Sequence, residues 1–217
     1  MKLLKKEFRL CLHPTVYLMV LLSAMVLIPN YPYAVSFFYV TLSLFFVCIT
    51  ARENHDAAYT LTLPVSRCEM VKGRALLFCC VEMAQMILCG LFILLKNRVI
   101  GDLANAAGMD ANVALLGEGF LVYGLFHLVF LPMLYRDLNK VGKAFAMASI
   151  AVFVYIVAAV SCTYALPFVR DNLDTPDPAH MTEKLVFLAV CACWYVFATA
   201  LSVRIAAKRF EQLDLQL

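Results

Sequence analysis

The chain predicts an all-α integral membrane protein of six transmembrane helices, preceded by an amphipathic helix in the membrane interface and carrying a short cytoplasmic helix between spans two and three. Three observations predict it. Of 217 residues, 64% are hydrophobic and 15% charged. A soluble domain carries roughly 25% charged residues, so polar surface here is too scarce to cover a soluble particle. The apolar residues fall in blocks of about 20, the number that crosses a hydrocarbon layer of roughly 30 Å as a helix. The basic residues gather on one side of those blocks, the asymmetry that sets orientation in membranes.

The N-terminal stretch "MKLLKKEFRLCLHP" puts Leu4, Phe8, Cys11 and Leu12 on one helical face and Lys2, Lys5, Lys6 and Arg9 on another. This is the pattern of a helix lying in the interface over residues 1–13. Pro14 breaks it from the first span, and the segment reads either as a generic cytoplasmic anchor or as an elbow that braces the bundle. Spans are expected at 14–29, 33–51, 74–95, 113–134, 143–168 and 184–205, the first barely long enough between Pro14 and Pro29. With the N-terminus inside, fourteen of the 18 Lys and Arg residues fall in cytoplasmic segments, leaving only Lys96, Arg98, Arg170 and Lys184 outside. An even number of spans places both termini in the cytoplasm. A cleaved signal peptide is the alternative reading of the start, but no small-x-small site follows, and losing the first span would put the rest out of register with the basic pattern.

The nine cysteines do not form a disulfide framework. Most fall inside spans, and Cys11 and Cys68 lie on the reducing side. Cys79-Cys80 and Cys191-Ala-Cys193 lack His or Asp at metal-ligand spacing, so no metal is expected. The outer loops "KNRVIGDLANAAGMDANV" and "RDNLDTPDPAHMTEK" have the Gly, Pro, Asn and Asp of surface turns. The charge of the second, at Asp171, Asp174, Asp177 and Glu183, is expected to be solvated, with attraction of a cationic molecule as the alternative. The C-terminal "AAKRFEQLDLQL" is short and polar and is expected to add no second domain.

Between spans two and three lies "ARENHDAAYTLTLPVSRCEMVKGR". Ser66 followed by Glu69 is a capping box, with Val65 and Met70 placed as its hydrophobic staple, so the third span begins early, near Arg67. Pro64 cannot continue a helix and restricts Leu63, which forces a corner. Residues before it offer about three turns of cytoplasmic helix. Short helix, rigid corner and capped start together suit docking or force transmission.

These residues resemble the loop between spans two and three of small bacterial type-2 ABC transporter permeases, where an acidic helix precedes a "SLP-[VI]-SR-x-E-[IM]-V-x-[GA]-[KR]" pattern. Leu63, Pro64, Val65, Ser66, Arg67, Glu69, Val71, Gly73 and Arg74 fit, and Thr62 stands in the usual Ser position. Glu53 and Asp56 match the acidic helix, and His55 departs from it. The chain is most similar to the compact group of amphipathic-peptide exporters and peptide-antibiotic immunity transporters. The resemblance implies a single permease domain over 1–217, with 52–66 as the segment that couples to an ATPase. It places Glu53, Asp56 and Tyr59 on or near the docking surface and Leu63, Pro64, Ser66, Arg67 and Glu69 in the connection to span three. It further implies two separate ATPase subunits that bind ATP and Mg, a second permease that is a copy or a related chain, a peptide or other hydrophobic substrate, and a bacterial cytoplasmic membrane with its lipids. No nucleic acid and no cofactor of the chain's own are implied.

The chain carries no phosphate loop: "VGKAF" lacks the first Gly and the Ser or Thr of G-x-x-x-x-G-K-[ST]. Inside the spans, a charge costs at least about 2.5 kcal/mol near the bilayer centre, which singles out Glu82, Gln85 and His127. Antiparallel packing of spans three and four places Glu82 and His127 at similar depth, so a hydrogen bond between them is expected, with Tyr123 as a third member. Its alternatives are a structural tie, a gate or a substrate contact. Glu118, between Gly117 and Gly119, either snorkels outward or faces the translocation path. An intramembrane enzyme lacks the necessary spacings. A membrane anchor or sensor that recruits a cytoplasmic partner without transport shares the same loop.

Overall fold

The structure, a computed structural model, describes residues 2–99, 101 and 105–213. Parts of the loop over residues 100–112 and the last four residues of the polar C-terminus lie outside the described residues. The described residues form helices and connections, with no strand among them. Helix α1 (Lys2–Lys6) continues as a π turn to Cys11; α2 (Thr15–Leu21) tightens into a 3-10 stretch over Leu22–Leu27. Then follow α3 (Ala34–Glu53), α4 (Asp56–Leu61), α5 (Arg67–Val99), α6 (Val113–Leu134), α7 (Val141–Ala165), a π turn at Val169–Leu173, and α8 (Met181–Glu211).

Five helices, α3 and α5 to α8, are long and apolar enough to cross a membrane. A sixth crossing arises when Leu3–Cys11 and Thr15–Leu27, which meet at 91°, are taken as one bent span. The expected first span over 14–29 is therefore the element that departs from regularity. It has seven α-helical residues and then six in 3-10 conformation, which reach roughly 22 Å rather than 30. The prolines at 14 and 29 bound it, and the larger rise of the 3-10 half stretches the few residues left between them.

Helix α6 is the central element, with α3, α5, α7 and α8 around it. Gly117 and Gly124, two turns apart, let α8 lie close against it: a Cβ at Gly117 would stand 2.7 Å from the Phe187 ring, and one at Gly124 would stand 2.8 Å from Trp194. Small residues serve this purpose in membranes because helix association there depends on close packing rather than on escape from water. Helices α7 and α8 turn apolar side chains such as Ile150, Val154, Val157, Val190 and Phe197 outward. These suit contact with lipid chains.

One end of the bundle gathers α1, α4, the start of α5, the α6–α7 turn and the end of α8. Arg209 donates to the Pro132 carbonyl at 2.8 Å there, filling one of the acceptors left at the end of α6, and Arg52 reaches the Asn139 carbonyl at 3.2 Å. The basic segments of the sequence meet at this end. The opposite end carries the turn before α3, the described part of the α5–α6 loop, and the α7–α8 connection.

Candidate functional site

The corner between α3 and α5 is built from its sequence in four steps. Helix α3 stops at Glu53, and His55 takes a left-handed conformation (φ 49°), where His, like Asn and Asp, is found more often than other residues. That break resets the helix axis, so α4 has six residues rather than three turns. Thr60 hydrogen-bonds the Asp56 carbonyl at 2.7 Å, and Asp56 and Thr60, four residues apart, share the buried face of α4. Tyr59 is 57% exposed on the other face, and Glu53 and Leu63 are exposed beside it.

After the corner, the Ser66 backbone N–H donates to Glu69 at 2.8 Å and the Glu69 N–H donates to the Ser66 hydroxyl at 3.2 Å. This reciprocal box starts α5 at Arg67, with Met70 buried behind it and Pro64, Ser66 and Glu69 at the surface. Arg67 turns inward. Its Nη1 reaches the carbonyls of Phe210 (2.8 Å), Glu211 (3.1 Å) and Leu213 (2.8 Å), and its guanidinium lies 5.4 Å from the Phe210 ring centre. A cation at the last carbonyls of a helix is electrostatically well placed, and here it fastens the corner to the end of α8.

Asp56, expected on or near the docking surface, is itself buried, in a four-membered ion cluster. Arg74 of α5 lies 2.9 Å from Asp56 and 2.6 Å from Glu7, and Lys6 lies 2.6 Å from Asp56 and 3.0 Å from Glu7. Lys6 also donates to Thr60 at 2.7 Å. Two cations and two carboxylates balance, which is the condition for burying charge at tolerable cost. The face of the N-terminal helix that packs inward is thus its Glu7 and Cys11 side, while Phe8 and Leu10 are exposed. A cavity of about 500 Å³ opens beside the cluster, lined by Cys48, Asp56, Arg74, Tyr135 and Leu138 among others.

Within the spans, antiparallel packing of α5 and α6 pairs position 82 with 127 and position 85 with 123. His127 Nε2 and Glu82 Oε1 come within 2.9 Å, though neither atom makes a well-aligned hydrogen bond. Tyr123 does not join them; it donates to Gln85, whose amide donates to the Ser36 carbonyl at 2.9 Å. The third partner comes from α8: Tyr195 donates to Glu82 Oε2 at 2.6 Å, and Thr199, four residues on, meets His127 Nδ1 at 2.8 Å. Sequence reading missed Tyr195 and Thr199. Their signal was a polar pair at helical spacing in an apolar span. Glu118 is buried, with no hydrogen bond or ion pair among the described residues, while Gly117 packs on α8 and Gly119 on Phe37 and Met86.

At the opposite end, the loop charges are not merely solvated. Lys184 is fully buried and donates to the carbonyls of Thr175 and Pro176 (3.1 Å) and to Asp177 (3.0 Å). Asn112 caps α6 through the Leu115 N–H (3.1 Å) and donates to the carbonyls of Leu173 (2.7 Å) and Thr175 (3.0 Å). Lys96 is buried against Tyr33, 2.7 Å from its hydroxyl. Burial pushes the Asp174 carboxyl up to about 6, with the charge of Asp110 acting in the same direction, and the Asp110 N–H and Lys184 acting against it.

A family model described as ABC-2 family transporter protein matches residues 2–207. No curated protein and no solved structure matches the chain.

Proposed function

The chain belongs to the ABC-2 transporter family, and from that premise we propose that it is the membrane-spanning permease subunit of an ATP-driven exporter. Family membership makes it a membrane component of an ABC transporter; substrate class, direction and partners belong to the proposal. Two ABC ATPase subunits bind ATP and Mg and supply the work. A second permease, a copy or a related chain, completes the complex. Its substrates are amphipathic peptides or other hydrophobic molecules, which reach the bundle sideways from the membrane. The end that gathers the basic segments faces the cytoplasm, so both termini lie there in a bacterial cytoplasmic membrane.

One observation carries the reading: the corner from Glu53 to Arg67 has a free face and a held face. Glu53, Tyr59 and Leu63 are exposed for a partner, while Asp56 and Arg67 tie the same corner to α1, α5 and α8. ATP draws the two ATPases together, the corner moves with them, and α5 shifts as its direct continuation. Alternating access follows from that shift.

The test is affinity purification of the tagged full chain from its own cells in mild detergent, beside a Glu53→Lys/Tyr59→Ala variant. Asp56 is left intact because its loss would disturb folding. Co-purification of an ATPase with the wild type, and its loss in a variant of unchanged elution profile, supports the reading. Absence of any ATPase from the wild type would sink it. An ATPase whose turnover ignores every peptide and hydrophobic compound tried would favour a recruiting anchor or sensor.

A further inference from the structure

The transport reading leaves one buried cluster unused, and an inference from it does not depend on that reading. Cys79 Sγ, a Glu82 carboxylate oxygen and a His127 ring nitrogen all lie within 4.8 Å of one another. Cys79 and Glu82 are three residues apart on α5 and so share a face, and His127 comes from α6. The sequence places the Glu82 carboxylate one turn after Cys79 on the same helix; the antiparallel packing supplies the His127 imidazole.

Two independent features point to an ion. Glu82 Oε1 and His127 Nε2 are buried, face each other and lack an aligned hydrogen bond. Behind them, the other atom of each group is held, Oε2 by Tyr195 at 2.6 Å and Nδ1 by Thr199 at 2.8 Å. Metal sites are built this way, with ligand atoms converging and second atoms fixed by hydrogen bonds that set the tautomer and orientation.

We propose that Cys79, Glu82 and His127 bind one divalent transition-metal ion of the zinc class, with a fourth position open. Thiolate, imidazole and carboxylate together suit Zn²⁺ among the common ions. Tetrahedral Zn²⁺ places such ligand atoms roughly 3.3 to 3.6 Å apart, so Glu82 and His127 separate slightly and Cys79 closes in. On binding, Cys79 releases its proton to water and neutral His127 donates its lone pair. The ion's two positive charges then meet two negative ligands, leaving no net charge in the bilayer. Cys79 is the partly exposed ligand of the three. The other grouping of the kind among the described residues, Glu7, Cys11 and Asp56, is already neutralised by Lys6 and Arg74.

The test uses the purified full chain in detergent, stripped with a chelator and loaded with Zn²⁺ or Co²⁺ alone. The expected result is one tightly held ion per chain and, with Co²⁺, a thiolate-to-metal absorption band. Cys79→Ser loses the band while Cys80→Ser keeps it, and His127→Ala loses the stoichiometric ion. Tyr195→Phe and Thr199→Val retain the site with affinity weakened about 10- to 100-fold. Failure of a monodisperse wild type to hold an ion overturns the proposal, whatever the variants do. So does an unchanged band in folded Cys79→Ser, which would assign the thiolate to another cysteine.

Discussion

The two ends of the bundle are polar in different ways. At the basic end, beside the backbone bonds of Arg52, Arg67 and Arg209, side-chain charges from α1, α4 and α5 hold one another, with Arg74 against Asp56 and Glu7 and Lys6 closing the ring. At the opposite end, side chains hold backbone: Asn112 and Lys184 take up the carbonyls of Leu173, Thr175 and Pro176. Ion pairs join elements that are free to be rearranged together. Side chains bound to several successive carbonyls fix a loop in one path. The difference teaches that the basic end joins separate helices through shared charge, whereas the opposite end fastens the α7–α8 connection to the starts of α6 and α8.

Four substitutions sharpen or break that contrast. Arg74→Ala leaves buried Glu7 and Asp56 with Lys6 as their one cation and is expected to cost about 3–5 kcal/mol, seen as a lower thermal midpoint and loss of monodisperse protein. A small loss there would mean that the cluster is wetter than its burial indicates. Asn112→Ala removes the α6 cap and two carbonyl bonds, for about 2 kcal/mol, and should loosen the outer loop in hydrogen exchange without altering ATPase co-purification. If partner binding falls with it, the two ends are not independent. Tyr59→Ala is expected to stay within about 0.5 kcal/mol of wild-type stability while weakening ATPase capture. A large stability loss instead would place Tyr59 in the fold rather than on a docking face.

The smallest effect is a pH dependence. Asp174 titrates at about 6 in the folded chain, above the roughly 3.9 of a free Asp. Between those values the folded chain keeps a proton that the unfolded chain has released, so stability is greatest below about pH 4 and declines as pH rises through 6. Asp174→Asn flattens this decline. Because the carboxyl is half-buried, less than about 1 kcal/mol is expected in thermal melts across that range.

The long helices and the corner were legible in the sequence because their causes are local. Apolar runs mark α3 and α5 to α8, and Ser66 with Glu69 announces the start of α5. The depth match of Glu82 with His127 was legible because two antiparallel helices leave little choice of register. The inward turn of Asp56 was not, since it depends on the left-handed His55 and on partners at positions 6, 7 and 74. Lys96 and Lys184 read as outer charges and are buried, because burial of a lysine is decided by the carbonyls or hydroxyl that receive it. The first span fell short for a reason visible in its two prolines, but its 3-10 half was not.

Helix α5 runs without a proline or a break from the capped corner at Arg67 to Val99, so one continuous helix joins the two ends of the bundle. The arm from Arg67 to the level of Lys96 is roughly 43 Å at 1.5 Å per residue, and a tilt of about 5° at the capped end swings its tip by roughly 4 Å. For a partner pressing on the corner, the bundle therefore behaves as reduction gearing run in reverse. A short stroke on one side of the membrane becomes a longer excursion on the other, at a proportionally smaller force.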